Sequence, residues 1–289
     1  MDNLTISGIP EFLDFLKELE NNTCIFSISE DFLYRGQADE SWPLKPKIYR
    51  QDSSGQRIYK NNIDIILTIF EREAYPYILK KNITALLNKE KYVIDFRVMT
   101  IAQHYGVPTQ LLDFTRNPLV ALYFACVSDG KNDDKDACVW VLNRNSCNIF
   151  YLSITAAQHF NNQPLTAIKE LPWIVQPPLL DERMSNQGSE FLYMPKDIPF
   201  EDFVRGLGCL MSTANLIKNY NQKVRNNNSI SLNNENYKEM LGKLIIKASA
   251  KSKIIKELNV LGINEKLIYP GLDGIGRYID YISRKKQTD

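Results

Sequence analysis

Arg35 is the first residue whose type and setting could support chemistry. It follows the aromatic segment 32–34, which is predicted to be a strand ending at Arg35, and it precedes Gly36. A guanidinium binds phosphate or carboxylate through parallel N–H donors, and a glycine allows a ligand to approach the backbone. A structural salt bridge to Asp39 or Asp113 is an equally good interpretation, because a buried arginine needs a partner.

His104 is one of only two histidines in the chain and stands beside a glycine turn. An imidazole can transfer protons near neutral pH, or form a hydrogen bond to a ribose. A core histidine that caps the neighbouring loop is the alternative. Because the other histidine, His159, is distant in sequence and no CxxC pair exists, no metal site is predicted.

Asp113 and Thr115 alternate with Phe114 in a predicted strand, so both point to the side opposite the phenyl ring. Asn117 and Pro118 then predict a helix start, with asparagine as N-cap and proline at the first helical position. The residues that follow, up to position 127, are all apolar, aromatic, Ala or Cys, which indicates a buried helix. The two polar side chains could line a pocket at the helix N-terminus, where anions bind, or could cap the helix.

Arg183 and Gln187 form a third polar pair, four residues apart in a turn that precedes Gly188. Their side chains would meet if the turn is helical, and they could then close over the same pocket. A loop clamp without a ligand is the alternative interpretation.

These residues must be positioned by a mixed set of elements. Strands and helices follow each other without βαβ regularity, which predicts an α+β fold: a single domain with a small mixed or antiparallel sheet flanked by helices. The helical spacing from 63 to 87 is interrupted by Pro76 and predicts two helices. We expect a helical insertion over about 54–100 and a mobile Asn-rich insertion over about 217–237.

The composition excludes several classes of protein. The chain has 289 residues, 44% of them hydrophobic and 24% charged, and a net charge of +1, so no overall basic field indicates nucleic-acid or membrane binding. It has no 18-residue apolar stretch and no signal-like start. Its five cysteines are dispersed, which is typical of a reducing compartment. We therefore expect a soluble cytoplasmic protein that does not contact a membrane.

The segments 34–36 (Tyr-Arg-Gly) and 103–125 resemble the FRG-domain family, which is named for its aromatic-Arg-Gly motif. Further segments fit the family in the same order: Leu44-Lys45-Pro46 with Arg50, Gln176-Pro177-Pro178, Arg183 with Gln187-Gly188 and Phe191, and 262–274. The resemblance extends over nearly the whole chain and implies one FRG domain over residues 1–289. Members of the family recur in bacterial and phage-related contexts.

The order of motifs is also similar to that of the Arg–Ser–Glu class of ADP-ribosyltransferases. This second resemblance implies an ADP-ribosyltransferase-like core and NAD as cofactor, with Arg35 on the phosphates or ribose and Thr115 in the region of the serine motif. The class also has a Gln-x-Glu or Glu-x-Glu segment whose glutamate holds the ribose. Here Gln187 with Glu190 is nearest to that segment, at a different spacing.

Together the resemblances imply one polar pocket with no metal. The expected catalytic residues are Arg35, His104, Asp113 and Gln187. The expected cofactor-binding residues are Arg35, Gly36, Thr115 and Arg183. The activity would be that of an ADP-ribosyltransferase or an NAD glycohydrolase, with water or a macromolecular acceptor (protein or nucleic acid), in a toxin or phage-defence effector.

Two other functions are compatible with the same residues. One is a non-catalytic module that binds a nucleotide, an RNA end or a peptide. The other is a nuclease that uses His104 with the arginines. An Asp or Glu facing Arg35 across the pocket would favour the enzyme, and the lack of one would favour the binding module.

Overall fold

Seven strands form a single mixed sheet in the computed structural model, which describes residues 4–21, 32–60, 62–80, 96–128, 130–144, 171–176, 182–207 and 241–285. The strands are β1 (Thr5–Ile6), β2 (Phe32–Gln37), β3 (Leu111–Thr115), β4 (Ala137–Asn143), β5 (Trp173–Val175), β6 (Ser189–Tyr193) and β7 (Leu241–Ile246). Their order in the sheet is β1-β7-β4-β2-β3-β6-β5. Only the β1–β7 pair of this sheet is parallel.

Helices cover the sheet in the described part of the chain. They are α1 (Ile9–Asn21), α2 (Ile63–Lys80), α3 (Phe96–His104), α4 (Pro118–Cys126), α5 (Glu182–Asn186), α6 (Phe200–Leu207), α7 (Ala248–Val260), α8 (Glu265–Ile268) and α9 (Leu272–Lys285), with a 3₁₀ turn at Lys47–Tyr49. The mixed sheet with its helices confirms the predicted α+β single domain. The expected Asn-rich insertion lies outside the described residues.

Helix α2 corrects the prediction of two helices around Pro76. It continues from Ile63 to Lys80 with Pro76 inside. A proline in a helix removes the hydrogen bond to the carbonyl four residues earlier, here that of Arg72. The side chain of Arg72 is 74% exposed, so water can reach this turn and satisfy the carbonyl. The sequence pattern does not reveal that solvation.

Helix α4 begins as its sequence predicts. The Asn117 side chain accepts hydrogen bonds from the backbone N–H groups of Leu119 and Val120, and Pro118 occupies the first turn, where its missing N–H costs nothing. The helix interior is buried almost throughout. The helix is therefore stabilised by close packing of its apolar side chains and has no solvated polar face.

The core is divided between the two faces of the sheet. On one face, α1, α4 and α7 pack against alternate strand residues such as Tyr34 and Val139. On the other face, Leu33 and Trp140 belong to a cluster that includes Phe200 of α6. This period-two alternation is what strand geometry requires of a sheet that is covered on both sides.

The sheet is weakly joined at its centre. Strand β2 pairs with β4 along its whole length, and β3 pairs with β6 along its whole length. Between β2 and β3, the register contains only the pair Tyr34–Thr115. The two halves of the sheet therefore separate beyond that pair, and β2 runs on past Arg35 to Gln37 along the opening.

Gly36 lies directly beneath α4. A Cβ built at this position would be 1.9 Å from the carbonyl oxygen of Ala121 and 2.6 Å from the backbone nitrogen of Ala125. The close approach of the α4 backbone is thus sufficient to require glycine at this position. The further expectation that Gly36 admits a ligand stays a prediction.

We predict that Gly36→Ala destabilises the protein by at least about 2–3 kcal/mol, because rigid backbone atoms of α4 must move to admit the methyl group. Chemical denaturation monitored by circular dichroism measures the effect. Gly276→Ala in α9 is the control: its Cβ meets nothing within 4 Å, and alanine should stabilise the helix slightly. Equal stability of the two variants would contradict the close approach of α4 to β2.

Candidate functional site

The side chain of Arg35 lies in the opening between the two halves of the sheet. Its Nη1 atom donates a hydrogen bond of 2.6 Å to the backbone carbonyl of Asp113 and lies 3.7 Å from the Asp113 carboxylate. The salt bridge to Asp113, which was one interpretation of the sequence, is therefore present, although β2 continues past Arg35 to Gln37. Only 14% of the Arg35 side chain is exposed, and its Nε atom is buried without a hydrogen-bond partner in the described structure.

Asp113 differs from Arg35 because it is largely solvated. Its side chain is 61% exposed, so its charge is stabilised mainly by water. Gln103, at the end of α3, donates from Nε2 to both carboxylate oxygens at 3.2 Å. The amide of Gln103 is itself oriented, because its oxygen accepts a 2.6 Å hydrogen bond from the hydroxyl of Thr109. Asp113 is thus an exposed carboxylate with a fixed direction.

His104 is the last residue of α3 and is half-buried. Its ring meets that of Tyr105 edge-on, with 5.2 Å between the ring centroids. Sequence reasoning selected His104 and missed its neighbour Gln103, which contacts Asp113.

Thr115, the last residue of β3, connects the start of α4 with the turn that precedes β6. Its hydroxyl donates to the carbonyl of Gln187 and accepts a 2.9 Å hydrogen bond from the backbone N–H of Asn117. The hydroxyl thereby helps to fix the start of α4. The role that the resemblance implies for Thr115, contact with a cofactor, stays a prediction.

Arg183 and Gln187 each contact the C-terminal segment. The turn is helical over Glu182–Asn186, one of the two forms that the sequence allowed. Gln187 donates from Nε2 to the carbonyl of Ile268 at 2.9 Å, and the Arg183 guanidinium lies 5.0 Å from the ring centroid of Tyr269. Arg277 lies over the same ring at 4.5 Å. The side chains of Arg183 and Gln187 thus connect this turn to the C-terminal segment, as in the alternative interpretation of a loop clamp.

These side chains line one open cavity of about 1430 Å³, which we call the cleft. Its walls come from both halves of the sheet, from the loops after β2 and α3, and from α5. The cations that line it are Arg35, Lys45, Lys47, Arg50 and Arg183. The carboxylates that line it are Asp52 and Asp113. Cationic side chains therefore outnumber acidic ones.

Burial lowers the pKa of Arg35, because a guanidinium without water is less stable in its charged form. Asp113 opposes this effect, whereas the positive charge of Arg50 adds to it. The empty cleft thus holds two like charges that repel each other, compensated in part by one exposed carboxylate. An anion between them would relieve the repulsion.

Glu190, the glutamate nearest to the ADP-ribosyltransferase pattern, is committed elsewhere. It is 1% exposed and forms ion pairs with Arg116 and with Arg144, the latter at 3.3 Å. It does not line the cleft, so it is not placed to hold a ligand beside Arg35. Within the described residues, no three His, Cys, Asp or Glu side chains form a group that could bind a metal ion. Nor do those residues include a helix long and apolar enough to cross a membrane.

A family model for the FRG domain matches residues 30–134 of the 289-residue chain. Searches of curated proteins and of solved structures found no match. The family match includes Arg35, Arg50, His104 and Asp113, but not Arg183 or Gln187.

The two arginine–carboxylate pairs should differ in their effect on stability. Arg116→Met removes one of the two arginines that pair with the buried carboxylate of Glu190 and should lower the free energy of unfolding by about 2–3 kcal/mol. Arg35→Met leaves Asp113 solvated and should cost about 1 kcal/mol, the value of one hydrogen bond. Urea denaturation of both variants tests this contrast. A larger loss for Arg35→Met would show that Arg35 is primarily structural.

Proposed function

We propose that the cleft binds a nucleotide, NAD or a related compound, and that Arg35 binds its phosphate groups. The observation that carries this proposal is the position of the Arg35 guanidinium. It lies in the opening of the sheet, its Nε atom has no partner in the described structure, and its nearest carboxylate is solvated. A phosphate in the cleft would accept from the guanidinium through a planar, bidentate interaction.

The charges around the cleft support an anionic ligand. Cationic side chains outnumber carboxylates in its lining although the whole chain is nearly neutral. A local excess of one sign in a concave site raises the concentration of the opposite ion there. The electrostatics thus favour a phosphate-bearing ligand over a neutral one.

The aromatic residues support a ligand with a planar ring. Trp42 and Tyr105 both line the cleft and are 42% and 60% exposed. Exposed aromatic faces stack on nucleobases and can contribute about 1–3 kcal/mol per base. A phosphate site with aromatic residues in the same cavity favours a nucleotide over an inorganic anion. The family resemblance adds the proposed setting, a toxin or phage-defence effector that modifies a protein or nucleic acid.

Titration calorimetry with NAD and ADP-ribose tests the proposal. We expect both compounds to bind the wild-type protein and Arg35→Ala to weaken binding at least about tenfold, because charge-assisted hydrogen bonds are lost. Arg72→Ala is the matched control, since Arg72 is exposed on α2 and pairs with Glu73. A wild-type protein that binds neither compound would refute nucleotide binding in this cleft.

A second candidate function is cleavage of the N-glycosidic bond of NAD. The exposed, oriented carboxylate of Asp113 beside Arg35 favours it. In this step the bond from the ribose to nicotinamide breaks and nicotinamide leaves with the bonding electrons. Water then bonds to the ribose carbon and gives its proton to Asp113. The carboxylate would also stabilise the oxocarbenium-like transition state, and His104 is the second candidate proton carrier in the cleft.

Asp113→Asn should abolish nicotinamide release, by a factor of about 100 or more, because the amide is neither a base nor a negative charge. Binding of NAD should stay the same or become tighter, since a negative charge is removed near the phosphates. Chromatographic detection of nicotinamide measures the reaction, and Asp14→Asn on the exposed face of α1 is the control. No release by the wild-type protein would leave the cleft as a binding module.

A further inference from the structure

We infer that Arg50 forms, together with Arg35, a site for a pyrophosphate group, and that this pair makes the cleft prefer dinucleotides and nucleoside diphosphates over nucleoside monophosphates. This inference rests on the proposed nucleotide binding and adds the chemical class of the ligand. It also assigns a role to a residue that the sequence analysis quoted only as part of a resemblance.

Most cations of the cleft are already engaged. Lys45 forms an ion pair of 2.6 Å with Asp197. Lys47 donates a 2.8 Å hydrogen bond to the carbonyl of Gly106. Arg183 lies over the ring of Tyr269. Asp197 neutralises Lys45, whereas Lys47 and Arg183 keep their charge but are held against the walls of the cleft.

Arg50 is held by its backbone while its side chain remains available. Its N–H donates to the carbonyl of Lys47 at 3.2 Å, and its own carbonyl accepts from the N–H of Ile58 at 3.1 Å. The residue is exposed, and its guanidinium forms no hydrogen bond or ion pair with the described residues. The loop therefore presents a fixed but uncommitted cation to the cleft.

The guanidinium groups of Arg35 and Arg50 belong to separate elements. Arg35 belongs to β2 and lies deep in the opening of the sheet, whereas Arg50 follows the 3₁₀ turn and is exposed. Both residues line the cleft, and the positive charge of Arg50 disfavours the charged form of Arg35. A single phosphate held by Arg35 would leave Arg50 uncompensated. A pyrophosphate carries charge on two adjacent phosphoryl groups, so each guanidinium can bind one of them.

Calorimetric titrations with ADP-ribose, AMP and adenosine test the inference on the full chain. The wild-type protein should bind ADP-ribose at least about tenfold more tightly than AMP, because the second phosphoryl group gains a charge-assisted contact. Arg50→Ala should remove this preference and leave the affinity for AMP within about twofold of the wild-type value. Arg50→Lys should restore part of it, because lysine keeps the charge without the bidentate geometry.

The matched control is again Arg72→Ala, and thermal melts establish that each variant is folded. Arg35→Ala should weaken both phosphate-bearing ligands, which separates its role from that of Arg50. If ADP-ribose binding requires Arg35 but is unchanged in Arg50→Ala, or if Arg50→Ala weakens AMP and ADP-ribose equally, the pyrophosphate site is refuted and nucleotide binding stands. If none of the three ligands binds the wild-type protein, both proposals are refuted.

Discussion

The separation of β2 from β3 is the constraint on which the cleft depends. The register between these neighbours contains only Tyr34 and Thr115, so the backbone groups beyond that pair need hydrogen-bond partners from elsewhere. The Nη1 atom of Arg35 supplies one of them by donating to the carbonyl of Asp113. A side chain thus takes the place of a missing strand-to-strand hydrogen bond. The gap between β2 and β3 that forms the cleft therefore also holds the guanidinium of Arg35.

The two arginine–carboxylate clusters of this fold differ in burial and in what they connect. Glu190 is buried and pairs with Arg116 and Arg144, which come from strand ends in the two halves of the sheet. Its interactions join those halves near the end where β2 and β3 still pair. Asp113 is exposed beside Arg35 and contributes little to that connection. The chain can therefore keep an imperfectly compensated cation in the cleft without weakening the joint.

The sequence was sufficient where local chemistry decides the outcome. Asn117 and Pro118 predicted the start of α4, and the need of a buried arginine for a partner suggested the contact of Arg35 with Asp113. The contributions of Gln103 and Arg50 were not predictable, because they depend on where a helix end and a loop lie relative to the sheet. The tolerance of Pro76 within α2 also depends on solvent exposure, which a spacing pattern does not contain.

The segment that sequence comparison recognises is smaller than the unit that must fold. Residues 30–134 include β2 and β3 but neither β4 nor β6, the strands with which these two pair along their whole lengths. A fragment cut at those limits would have two strands joined at one position and both outer edges unpaired. Its recognisable motif would lack the cooperative contacts that hold it in shape. The folded form of the region that matches the family model therefore depends on strands that lie outside the match.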